Sequence, residues 1–136
     1  MVTCDFAFLA DFAAERGGFI TAHGVGIDSL MAATLPASHP HLYLVIQFRC
    51  PVKELGSKNL VLRLHDDKGQ LVLEQTGQAN FQPPAYGDSS VARLVLGFHM
   101  VMFKSFGTST FSVELDGKKM ASLPFHVLQT QVPASV

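Results

Sequence analysis

The sequence predicts an all-β protein, an antiparallel β-sandwich of about eight strands that is immunoglobulin-like in general form. Three observations carry this expectation. Apolar residues recur with a period of two along most of the chain, the spacing that lays one face of a strand against a core. No segment of about ten residues or more repeats with the helical period. Turn signals separate the apolar runs roughly every 10 to 15 residues.

Taken in chain order, CDFAFLA (4–10) reads as a strand with Cys4, Phe6 and Phe8 on one parity, and DFAAER (11–16) as a single helical turn. GFITAHGVGIDSL (18–30) is a strand broken by Gly24 and Gly26, which suggest a bulge or bend. Pro36 and Pro40 shape an extended approach to LYLVIQFRC (42–50), because the residue before a proline is pushed to extended geometry. In that strand Leu42, Leu44, Ile46, Phe48 and Cys50 share the inner parity. NLVLRLH (59–65) repeats the pattern with Leu60, Leu62 and Leu64, then turns at Asp66-Asp67-Lys68-Gly69 into LVLEQ (71–75).

After a long loop at 83–90, ARLVLGFHM (92–100) places Leu94, Leu96, Phe98 and Met100 inward. FSVELDGKKM (111–120) places Phe111, Val113 and Leu115 inward and reverses at Asp116-Gly117, the strongest short hairpin signal. Leu123, Phe125 and Val127 complete the returning strand. Residues 1–128 are expected to form one domain and 129–136 a flexible tail.

Composition narrows the function classes. Ten basic and eleven acidic residues leave a formal charge of -1 with no basic run, so nucleic acid is excluded as a partner. The N-terminus lacks the basic region of a signal peptide, and no uninterrupted apolar stretch is long enough to cross a bilayer. A cytoplasmic protein without membrane partners is the simplest expectation. Cys4 and Cys50 lack metal-ligand spacing and are expected to be buried, reduced thiols.

No sequence feature demands an enzyme or a cofactor. There is no GxSxG elbow, Gly24-Val25-Gly26-Ile27-Asp28 has no following helix, and Asp66-Asp67 lacks calcium-loop spacing. Glycan binding finds little support in a chain without Trp and with only Tyr43 and Tyr86. Six histidines invite a metal site. His65, His99 and His126 take the outward parity of their strands, and would share a face if those strands were neighbours. His39 and His41 flank a proline, and an alternative reading builds a small-molecule or metal-dependent site around them.

What remains is surface. Only 15% of the residues are charged and the mean hydropathy is +0.26, apolar for a soluble domain. Tyr43, Val45, Val95, Val101 and Phe103 lie on parities opposite the inferred core, so a second apolar face needs a cover. A second copy of the chain is the expected cover, because twofold dimers are the commonest assembly. The main expectation is therefore a non-enzymatic protein-interaction or structural module that self-associates as a dimer, with another protein as a further possible partner.

Several stretches together carry a resemblance: LADFA (9–13), Gly18-Phe19-Ile20, LPASHPHLYLV (35–45), LHDDKGQLV (64–72) and the spacing from Phe103 through Gly107 to FSVELDG and LPFHV. The chain resembles a bacterial family of roughly 130-residue domains of unknown function, a size that suits one domain. The likeness runs from Leu9 to Val127. It matches the family at His39 and Pro40 before the long strand and at Phe103, Gly107, Asp116 and Gly117 near the end. Lys104 stands where the family has proline and Ser109 where it has an aromatic residue. The resemblance implies a β-sandwich and brings no activity or catalytic residues with it. On it, His39 is a structural residue whose loss should lower the melting temperature.

Overall fold

The computed structural model describes residues 1–130 of the 136-residue chain. The described residues form ten strands: β1 (Thr3–Ala10), β2 (Phe12–Arg16), β3 (Phe19–His23), β4 (Ser29–Ala32), β5 (Ala37–Pro51), β6 (Gly56–His65), β7 (Leu71–Phe81), β8 (Ser89–Phe103), β9 (Gly107–Leu115) and β10 (Lys118–Gln129), with one 3-10 turn at Val52–Glu54. They build a three-stranded sheet in the order β1-β5-β8, a five-stranded sheet in the order β4-β10-β9-β6-β7, and a separate hairpin, β2-β3. The protein is all-β with antiparallel pairing throughout, except that β4 runs parallel to β10.

The core lies between the two larger sheets. Leu42, Leu44, Ile46, Phe48 and Cys50 of β5 join Leu60, Leu62 and Leu64 of β6 and Phe111, Val113 and Leu115 of β9 in one cluster. None is more than 4% exposed. These are the inner parities expected from the sequence, and each fully buried large aliphatic side chain contributes on the order of 1.5–3 kcal/mol. The hairpin turns also form where expected. Asp66 Oδ1 accepts bonds from the Lys68 and Gln70 amides, and Gly69 takes a left-handed φ of 79°. At the second turn Asp116 (φ 48°) and Gly117 (φ 81°) are both left-handed, while Asp116 Oδ1 accepts the Asn59 amide at 2.8 Å.

Four features depart from the simple alternation. DFAAER is not a helical turn: Phe12–Arg16 is strand β2, paired with β3 across a turn in which Gly17 and Gly18 have φ of 60° and 84°. That turn geometry matches the twist of a hairpin, so the two glycines favour strand pairing over a helical turn. In β1, Cys4 pairs with Phe48 but Phe6 with Gln47, leaving Asp5 as the extra residue of a bulge. The bulge flips the parity. Cys4, Ala7 and Leu9 pack on the main core, while Phe6 and Phe8 turn outward and stack with ring centroids 5.9 Å apart.

The third departure is a paired kink where β5 and β8 run side by side. Met100 has a φ of 56°, so His99 and Met100 both turn outward between inward Phe98 and inward Val101. Opposite them, Pro40 and His41 both turn outward between His39 and Leu42, and the register continues through His39↔Val101 and His41↔His99. Beyond the kink the inner parity is reversed. Val101 and Phe103, read from the sequence as interface residues, are therefore core, at 4% and 2% exposure. Finally, β10 extends through Gln129, and the Thr130 amide donates to the Ala32 carbonyl at 2.9 Å, so the expected tail does not begin at 129. Its remaining residues, 131–136, lie outside the described residues.

Candidate functional site

The outer face of the three-stranded sheet is apolar, as the sequence suggested, but the chain covers much of it with its own hairpin. Ala10, Ala13 and Val45 form a second buried cluster with Phe8, Ile20, Ala22, Tyr43 and Val95 packed around it. Val45 is fully buried, and Tyr43 and Val95 are partly so. As the expected site for a second copy, these three positions are corrected: β2-β3 takes that place. A polar chain ties the hairpin down. Arg93 Nη1 donates to the Gly18 carbonyl at 2.9 Å and Arg93 Nε to Gln47 Oε1 at 2.7 Å, while Gln47 Nε2 donates to Asp5 at 2.7 Å and Arg49 pairs with the same carboxylate at 3.0 Å. The Gln47 hydrogen bond, then the Arg49 bond, holds the Asp5 carboxyl below the usual carboxylate range.

The surface left open lies at the other side of the sandwich. Among the described residues β7 pairs only with β6 and β8 only with β5, so each is the outer strand of its sheet. Between them runs a groove of about 610 Å³ with Leu71, Val72, Met100 and Met102 on its walls. These four side chains are 38% to 58% exposed, and the backbone groups on the outer sides of both strands have no ladder partner. Phe98, Val101, Phe103 and Ser109 line the deeper part. Ser109, one of the two positions that depart from the family pattern, is buried at 4% exposure, and the second, Lys104, lines the groove from an exposed position.

The histidines sort differently from either sequence expectation. His39 turns inward, its ring meeting Phe125 edge-on at 6.2 Å. Its Nε2 lies 3.9 Å from Asp11 Oδ1, and its buried Nδ1 has no hydrogen-bond partner among the described residues. His41 turns outward across the kink, so the two do not converge on one site. His65, His99 and His126 do not converge either, since β9 separates β6 from β10 and His99 belongs to the other sheet. His126 Nδ1 instead meets Thr108 Oγ1 at 2.9 Å. What the fold does bring together is His41 and His99, direct cross-strand neighbours whose Nδ1 atoms are 3.2 Å apart and whose rings are nearly perpendicular. The pairing of residues so far apart in sequence depends on the β5–β8 register, which no local turn specifies.

Among the described residues no three His, Cys, Asp or Glu side chains cluster at metal-binding distance. Cys4 and Cys50 are free thiols, Cys50 buried and Cys4 only half-buried, and for both the burial pushes the thiol up from its ordinary value. No described helix is long and apolar enough to cross a membrane. Compared with known proteins, the chain matches one family model over residues 5–128, and no curated protein matches it.

Proposed function

The chain belongs to the family of unknown function DUF6941, and from that premise, which carries no activity with it, we propose that the protein is a non-enzymatic interaction module that associates with itself along the β7–β8 side. The observation that carries the reading is the pair of unpaired strand edges bordering a groove with four exposed apolar side chains. An exposed edge is a template for strand addition. A second copy is the favoured occupant because an antiparallel edge pairs with its own copy about a twofold axis, and the formal charge of -1 leaves little repulsion between chains. Two β8 edges joined in this way extend each three-stranded sheet into the other.

The two carboxylates that line the groove are already engaged, which favours a binding role over a catalytic one. Asp66 is occupied within its own turn, and Glu74 is paired with Arg63 at 2.7 Å. The reading includes a cytoplasmic location, favoured by the two free thiols, and an immunoglobulin-like use of the sandwich as a scaffold for edges and loops. Light scattering coupled to size-exclusion chromatography tests it. Wild-type protein should elute as a dimer at micromolar concentration, and Met100→Lys with Met102→Lys should give a monomer with an unchanged circular dichroism spectrum. A wild-type chain that stays monomeric at roughly 100 µM, a concentration at which even weak interfaces of this kind assemble, removes the proposal.

A further inference from the structure

The geometry points to a second property, carried by a different observation: we propose that His41 and His99 form a two-nitrogen clamp for a zinc-like divalent ion. The paired kink creates the arrangement. Because His41 and His99 turn out to the same face at facing register positions of adjacent strands, both rings are exposed and held side by side by the β ladder. Nothing crowds them from the next pair along, since Gly97 has no side chain and Tyr43 leans across onto it.

The distance between the two nitrogens suits a tetrahedral ion. Two Zn–N bonds of about 2.0–2.1 Å separated by a tetrahedral angle place their nitrogens about 3.3–3.4 Å apart. The observed Nδ1–Nδ1 separation is 3.2 Å. The metal-free contact has the length of a hydrogen bond between the two rings, with donor and acceptor set by the tautomer. On binding, each Nδ1 directs its lone pair to the ion, and the displaced proton moves through water to the Nε2 of the ring that held it. No electron is transferred and no further reactant is needed. Water fills the two remaining positions, one more than at an open zinc site with three protein ligands. Imidazole nitrogen favours zinc, copper and nickel over magnesium or calcium.

The test is a titration of untagged full-length chain with Zn2+, followed by isothermal calorimetry, on wild type and on His41→Ala, His99→Ala and His65→Ala. Saturable binding is expected in wild type, weakened by about tenfold or more in either clamp variant and left within about twofold in the His65 variant, as loss of a direct ligand demands. No saturable binding, or equal binding by all four chains, overturns the proposal. Imidazole NMR of the wild-type chain keeps the test valid if a variant fails to fold. Zn2+ should move the His41 and His99 ring signals first, and movement confined to His65 or His126 overturns the assignment.

Discussion

Phe103 and Met100 give opposite predictions under strict alternation and under the kinked strand of the structure. Alternation along β8 puts Met100 in the core and Phe103 on the surface. The left-handed φ of 56° at Met100 reverses both: Phe103 is 2% exposed and stacks on Phe125 at a centroid distance of 5.2 Å and 14° between ring planes, whereas Met100 is 58% exposed. Truncating a buried phenylalanine loses both its transfer free energy and the contacts around the cavity left behind. Phe103→Ala is therefore expected to cost about 3–5 kcal/mol. At roughly 3–4 °C per kcal/mol for a chain of this size, the melting temperature should fall by about 10–20 °C. Met100→Ala, which removes an exposed side chain and keeps the strained backbone, should stay within about 0.5 kcal/mol of wild type. The assay is urea unfolding followed by circular dichroism, at a concentration low enough that association does not add to stability. A Met100→Ala chain less stable than the Phe103→Ala chain would refute the kink and restore simple alternation.

Two further predictions use the outer face. Asp5 has its carboxyl pKa lowered in the folded state by Gln47 and Arg49, so its contribution is present above the unfolded carboxylate value of about 3.9 and is lost as pH falls through the lower folded value. Unfolding free energy measured from pH 6 downward should drop more steeply for wild type than for Asp5→Asn below about pH 4, and parallel curves would show that Asp5 is not engaged. At Gly97 an added Cβ would sit 2.9 Å from the Tyr43 ring. Gly97→Ala should cost about 1–3 kcal/mol by overpacking, and combining it with Tyr43→Ala should cost less than the sum of the two single changes if the clash is the cause.

How far the fold was legible depends on how local its instructions are. Asp66–Gly69 and Asp116–Gly117 carry their turns in adjacent residues, and the strands beside them, with Leu60, Leu62, Leu64, Phe111 and Val113 inward, followed from the period of two. The bulge at Asp5 and the kink at Met100 were hidden because each depends on pairing with β5, a strand distant in sequence, and each inverts every side chain beyond it. The same inversion explains the candidate surface. Strict alternation puts Val101 and Phe103 on the outer face, where the kink turns them inward, and Val45 on an outer face that the β2-β3 hairpin covers. The His41–His99 pair required a register that only the assembled sheet defines. His39 and Pro40, which the sequence places in an approach to the strand, lie within β5 itself, and the inward turn of His39 onto Phe125 belongs to the tertiary packing. Gly107 follows the same logic: a φ of 136° and an added Cβ that would lie 2.8 Å from Asp67 make a side chain costly there, for reasons that no local motif announces.

The parallel pairing of β4 with β10 also orders events during synthesis. Among the described residues, 29–32 pair with 126–129 alone, a stretch made long after them. Until β10 has been made, β9 lacks its neighbour on that side and β4 has no sheet to join. Such distant pairings must meet the entropy of closing a long loop before they return any stabilisation, which slows folding. A chain released before residue 118 retains β6, β7 and β9 but leaves Phe111 and Val113 without the Phe125 and Val127 layer beside them. The protein therefore commits to its native sheet only once β10 has been made, and its early segments must stay extended and unaggregated until then.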